Sequence, residues 1–237
     1  MRWLGLLGGR AALEGDVVVV SPHIDDAALS LGAAISHATR RGARVTILTV
    51  LAGDPGSTTP AGEWDRRSGF TTAGEAANAR RAEDATACGH LGARPVWLPY
   101  FDHQYERGAS DDEVRAAVVE AVGASLALLP GFPLMHEDHR WLRVLLDGAF
   151  PAERHGLYAE QPYAAFWTEQ PGAEGSPSPE LVPPPARWGR LRAGLVDQRR
   201  KLAAYRAYAS QHELLGHPVG KIFRYEIRLG GESAVLP

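Results

Sequence analysis

Asp16-Val17-Val18-Val19-Val20-Ser21-Pro22-His23-Ile24-Asp25-Asp26 is the stretch on which the fold turns. Four consecutive valines, β-branched and apolar on both sides, predict a strand buried on both faces, as in a parallel sheet. Ala27 to Arg41 comes next with apolar residues at helical spacing (Leu29, Ala33, Ile35, Ala38), and Gly42 closes it. Arg44 to Leu51 (RVTILTVL) is a second run of the buried-strand type. Two such strands joined through one helix make a right-handed βαβ unit, so the chain is α/β.

Outward from this unit, Gly53 to Thr72 reads as a long loop and Gly74 to Leu91 as a helix. Pro95 to Leu98 predicts a short strand, Asp111 to Leu126 a helix, and Glu137 to Leu146 another. Leu126 to Leu134 is apolar and strand-like, although it carries Pro130, Gly131 and Pro133. Gly156 to Ala159 and Ile222 to Arg228 are candidate late strands, with a helix from Leu195 to Ala209 between them. The stretch 170–186 is rich in Pro, Gly and Ser and reads as a surface loop, a lid or an insertion without a role. The residues beyond it are too few for an independent core, so residues 1–237 are expected to form one domain with long loops at 53–72 and 170–186.

Bulk properties exclude several classes. A net charge of -3 provides no electrostatic footprint for nucleic acid or an anionic membrane. Only two of the 25 basic residues are lysines, Lys201 and Lys221, so no arginine carries weight merely for being arginine. A lone cysteine, Cys88, forbids a disulfide within the chain and reads as a small buried residue. Residues 1–13 are broken by Arg2, Gly5, Gly8, Gly9 and Arg10, unlike a secretory signal, and no apolar run is long enough to span a membrane. A cytoplasmic protein acting on a small molecule is the expectation.

In open α/β sheets ligands bind at the carboxyl ends of strands. The residues there, Ser21 to Asp26, contain no glycine, and two carboxylates would repel a pyrophosphate, which disfavours a dinucleotide site. A histidine and two aspartates suit a cation instead. His23 and Asp26 are three apart, so a turn can aim both at one point while Asp25 points elsewhere. Met135-His136-Glu137-Asp138-His139 repeats the arrangement: it comes after an apolar stretch, precedes a helix, and sets two histidines three apart. A catalytic zinc takes three protein ligands and keeps one position open. The two clusters supply that number with residues to spare. Taken singly, Asp25-Asp26 also reads as a helix cap with a first-turn acid, and His136/His139 as an exposed helix start. Together, at the ends of two apolar segments, they point to a bound metal.

These two motifs resemble those of the PIG-L/LmbE-like zinc deacetylases, marked by a His-Pro-Asp-Asp-type turn after the first strand and a later His-x-Asp-His. Arg81 and Glu83, Leu91-Gly92, Asp102, and Lys201, Tyr205, Ser210 and Gln211 extend the resemblance over most of the chain. It implies a Rossmann-like three-layer fold with a mostly parallel sheet, one zinc ion per chain, and removal of an N-acyl group, acetyl above all, from an amino sugar or sugar-bearing metabolite. By carry-over, His23, Asp26 and His139 are the zinc ligands and Asp25 the general base. Protonated His136 stands by the oxyanion, and Asp138 orients a neighbouring histidine. Ile24 replaces the usual proline, Ala27 a frequent glutamate, and no tyrosine precedes Met135 to assist the oxyanion.

For the substrate, Asp102 sits after a strand end and suits sugar hydroxyls. Trp64 suits the apolar face of a sugar, and Arg66 or Arg67 an attached polar group. A turn-capping Asp102 and a loop that only covers the core are the plainer readings. His37 and His90 read as structural, and His103 as a loop histidine that could line the pocket. The rivals are a zinc amidohydrolase on a non-sugar N-acyl amine, a metal-dependent phosphoesterase needing two ions and more ligands, and a non-catalytic Rossmann-like binding module.

Overall fold

The computed structural model describes residues 11–164, 188–211 and 231–237. The expected strand at 222–228 and the loop at 170–186 lie outside the described residues. The elements run β1 (Asp16–Ser21), α1 (Asp26–Arg40), β2 (Arg44–Thr49), α2 (Glu63–Arg67), α3 (Ala73–Leu91), β3 (Arg94–Trp97), α4 (Asp111–Val122), β4 (Leu126–Phe132), α5 (Glu137–Leu145), a single 3-10 turn (Ala152–Arg154), β5 (His155–Ala159), β6 (Gly189–Arg190), α6 (Leu195–Ala207) and β7 (Ser233–Val235).

The valine run forms the strand its composition predicts. Val17 pairs with Val45 of β2 on one side and with Leu126 of β4 on the other, both parallel. Alternation then divides the core. Val17 and Val19 pack with Leu31 and Ile35 of α1, whereas Val18 and Val20 pack with Val114 and Val118 of α4 and Leu142 of α5. The result is the expected helix–sheet–helix sandwich. Local signals set the helix ends. Thr72 and Glu75 form a reciprocal capping box at the start of α3, and Gly92 stops it in the left-handed conformation. No helix among the described residues is long and apolar enough to cross a membrane.

One element departs from expectation, and the strand-like run after α4 meets it despite its prolines. The 53–72 loop contains the short helix α2. The proline-bearing run 126–132 is a full strand. β1 reaches only to Leu128, and the register against β5 shifts between Pro130 and Phe132, so Pro130 sits at a bulge where its missing N–H is tolerated. Gly131 there is sterically required, because a Cβ would come within 2.6 Å of Leu157 Cβ.

Strand order is β3-β2-β1-β4-β5-β7-β6, with β1 to β5 parallel and the last two strands antiparallel at the edge. The chain leaves β1 toward β2 and β3 on one side and resumes at β4 on the other. β1 and β4 therefore flank the topological switch point, where open α/β sheets form their ligand crevice. The two histidine clusters lie directly after these two strands.

Candidate metal centre

Ser21 shapes the first turn. Its hydroxyl donates to His23 O (2.7 Å) and accepts from Ala27 N (3.0 Å). Asp26 opens α1, and its Oδ2 accepts from His23 N at 2.9 Å. Asp25 occupies the N-cap position with φ 131 and makes no capping bond with its side chain. The carboxylate instead lines the adjoining cavity. In the second cluster His136 caps α5, its Nδ1 accepting from Asp138 N at 3.2 Å, and His139 one turn on is fully buried.

The two turns bring three atoms together. His139 Nε2 lies 3.1 Å from Asp26 Oδ2 and 3.2 Å from His23 Nδ1, and the latter two are 3.3 Å apart. Ligands at about 2.0–2.1 Å around a tetrahedral ion lie about 3.3 Å from one another, so this triangle fits one cation. The outer nitrogens of both imidazoles are held by carboxylates: His23 Nε2 by Asp138 Oδ2 at 3.0 Å, and His139 Nδ1 by Glu160 Oε1. A carboxylate on the outer nitrogen keeps the proton there and turns the inner lone pair to the metal. His136 also has a ligand atom within 4.8 Å of those of His23 and His139. Asp26 makes the tighter triangle and brings the negative charge that a divalent ion needs.

With three buried carboxylates pressed against it, the pair of imidazoles attracts positive charge. Burial alone would lower His23, but the hydrogen bonds to Asp138 and Asp26 outweigh it and hold it at about 9. His139 is likewise raised well above the usual histidine range, Asp26 and Glu160 overcoming burial. Asp26 is held far below the carboxylate range, chiefly by His139. Its neighbour moves the other way: burial and the charge of Asp26 raise Asp25 well above that range. A cation entering the triangle would displace the protons from both imidazoles.

Without a bound ion, burial and then the charges of His23 and His139 push His136 down to about 3, which favours the neutral ring. Its Nδ1 accepts a backbone N–H, which leaves the hydrogen on Nε2. His136 is thus a neutral N–H donor.

The site forms one wall of a cavity of about 640 Å³. Trp64 and Asp102 line it. Trp64 is fixed by donation from Nε1 to Gln211 (3.2 Å) and by Arg67 over its ring (5.6 Å). Asp102 already accepts from Gln104 N and Nε2, both at 3.0 Å, as a turn cap does. Arg66 is a correction: its guanidinium turns back to Ala61 O (2.8 Å), and Arg67, one position on in α2, faces the cavity instead. Asp138 stands at the outer nitrogen of His23, 3.0 Å away. Three contributors were not foreseen: Glu160 on His139, Arg80 in the cavity wall, and Tyr163, whose ring meets that of His139 edge-on at 5.5 Å.

Glu160 is fully enclosed and its other oxygen accepts from Leu134 N at 2.8 Å. Glu160→Gln is expected to weaken metal binding by about 10–100-fold, the usual effect of removing such a partner. Competition with a chelator measures this, and an unchanged affinity would exclude a role for Glu160 at the centre.

The family profile described as PIG-L: GlcNAc-PI de-N-acetylase matches residues 18–150, more than half of the chain. No curated protein sequence matches. Among solved structures the chain is similar to the antimicrobial reagent A40926 pseudoaglycone deacetylase Dbv21, with 24% sequence identity and TM-score 0.72 over 93% of this chain and 96% of that one. The zinc inhibited form of teicoplanin deacetylase Orf2 gives 22% identity and TM-score 0.71 over 92% and 96%. N,N'-diacetylchitobiose deacetylase from Pyrococcus horikoshii, complexed with an inhibitor, gives 20% and 0.53 over 90% and 75%. At these identities the likeness is one of fold. The match covers more than half of the chain and includes both histidine clusters, so the chain belongs to the PIG-L de-N-acetylase family.

Proposed function

We propose that the chain is a zinc-dependent N-deacetylase acting on an N-acylated amino sugar, one carried by a larger small molecule in particular. The observation that carries this reading is the triangle of His23, Asp26 and His139 beside the unliganded carboxylate of Asp25, with His23, Asp25 and Asp26 at the wall of an open cavity. A divalent cation in that triangle would supply Lewis acidity toward an amide carbonyl and would acidify water to about pKa 7.

The remaining chemistry belongs to side chains. Asp25 accepts the proton of the attacking water. Asp25 then passes that proton to the departing amine, so its carboxylate is regenerated. His136 is ill suited to that second step, because its neutral ring has no spare proton to give away. Its Nε2–H donates instead to the oxygen that becomes negative as the carbonyl is attacked. Asp138 and Glu160 hold the two ligand imidazoles in their tautomers.

The sugar assignment draws on three supports. Similar structures include deacetylases of teicoplanin and of N,N'-diacetylchitobiose. Trp64 gives the cavity a flat apolar surface, and Asp102 and Arg67 give it polar ones. Each oxygen of Asp102 retains acceptor capacity beyond its bond to Gln104. Acetate release across N-acetylhexosamine glycosides and N-acyl amino acids is expected to favour the glycosides. Turnover confined to amino acids would sink the sugar reading and leave a zinc amidohydrolase standing. If sugars are turned over, Asp102→Ala should lower kcat/KM without removing metal.

A further inference from the structure

Beside the first triangle, next to the cavity-lining His103 and His136, lies a second group of side chains able to ligate a cation. His103, in the loop after β3, places a ligand atom within 4.8 Å of those of His136 and Asp138. His103 Nδ1 stands 3.0 Å from Asp138 Oδ2, and His136 Nδ1 stands 3.8 Å from the same oxygen. Glu137 Oε1 lies 3.8 Å from His103 Nε2. The two imidazole rings are 5.0 Å apart and inclined at 64°, so they converge rather than stack. Two imidazoles and a carboxylate are a donor set for zinc or a similar ion.

This group lies across His23 from the first. His23 turns Nδ1 toward Asp26 and His139, and Nε2 toward Asp138 Oδ2. Ions in the two places would be separated by an imidazole ring and a carboxylate oxygen. Ions that act jointly on one substrate stand closer, about 3.5–4 Å apart. The second group is therefore no half of a two-metal hydrolytic centre.

We propose that His103, His136 and Asp138 form a second, weaker divalent-cation site whose occupation inhibits the enzyme. Three features make it the weaker. One of its ligands is open to water, with 44% of the His103 side chain exposed. Arg107 donates to Asp138 Oδ1 at 2.9 Å and adds positive charge beside the ion. The carboxylate on the outer side of His103, Glu137, stands off at 3.8 Å and is largely exposed, unlike the enclosed Glu160 on His139, and a firmly held partner is worth about 10–100-fold in affinity. Inhibition arises from sharing. A ring nitrogen of His136 engaged by an ion no longer leaves the ring where its N–H can meet the oxyanion. An ion on Asp138 Oδ2 also competes with His23 Nε2 for the same oxygen. The inhibitory half rests on the deacetylase reading, whereas the binding half does not.

The test is a titration of the metal-stripped full chain with Zn²⁺ by calorimetry, repeated with Co²⁺ by visible absorption. Two phases are expected: about one tight equivalent, then about one weaker by roughly 10–100-fold. His103→Ala should keep the first and lose the second, and His139→Ala should lose the first. Glu137→Gln, at an exposed position, should weaken the second phase without touching the first. On an active substrate the rate should rise with the first equivalent and fall with the second, and the fall should vanish in His103→Ala. Binding that stops at one equivalent, or a second phase undisturbed in His103→Ala, overturns the site. A rate indifferent to the second equivalent overturns the inhibition. Two equivalents bound with no acetate released from any substrate would support the site while refuting the deacetylase reading.

Discussion

Asp25→Asn is expected to bind its metal normally and to lose at least about a hundredfold in turnover, within the range for a missing general base. Asp25 stands outside the ligand triangle, so the change leaves all three ligand atoms in place. Asparagine is nearly isosteric with aspartate and meets the same backbone constraint, so the turn at φ 131 should persist. It has no basic oxygen to take a proton from water. Elemental analysis together with single-turnover rates separates the two functions. Asp26→Ala is the contrasting variant: it removes a triangle vertex and should weaken metal binding first and turnover as a consequence. Loss of metal in Asp25→Asn with retention in Asp26→Ala would reverse the two roles.

His139→Ala is expected to lose its metal and, with it, measurable turnover. Its imidazole is fully buried and is the vertex that both Asp26 and His23 face. The substitution also strands the enclosed carboxylate of Glu160, and breaking a buried charged pair costs about 3–5 kcal/mol. The variant should therefore melt earlier, which is to be measured alongside metal content. Combining it with Glu160→Gln removes the stranded charge and should restore part of the melting temperature without restoring metal. Full metal retention in His139→Ala would take His139 off the ligand set.

Much of this architecture was legible in the sequence because its determinants are local. The valine run, the helical spacing after Asp26 and the two histidine clusters each lie within a few residues of chain, and each occupies the element it predicted. What escaped depends on contacts across the sheet. Glu160 is 21 residues from His139 and reaches it only because β5 lies beside β4. Nothing in Tyr158-Ala159-Glu160-Gln161 marks a carboxylate aimed at a histidine. Arg66 and Arg67 were inseparable in a stretch read as loop. Within helix α2 successive side chains turn by about 100°, and that rotation decides which one meets the cavity. The lowering of His136 reflects its burial first and then the charges of His23 and His139, brought close by the strand order. β6 and β7, of two and three residues, are too short to show any alternation.

The backbone of Asp25 bears on how this protein could be improved. An aspartate at φ 131 sits where only glycine rests easily, at a cost of about 1–3 kcal/mol, and its carboxylate is buried next to another. Asp25→Gly would relieve both burdens and should melt higher, by about 2–4 °C per kcal/mol recovered in a chain of this size. A thermal-shift scan alone would thus reward the variant least able to turn over substrate. Thermostability and activity are opposed at this residue, and any selection for a sturdier enzyme must hold position 25 constant.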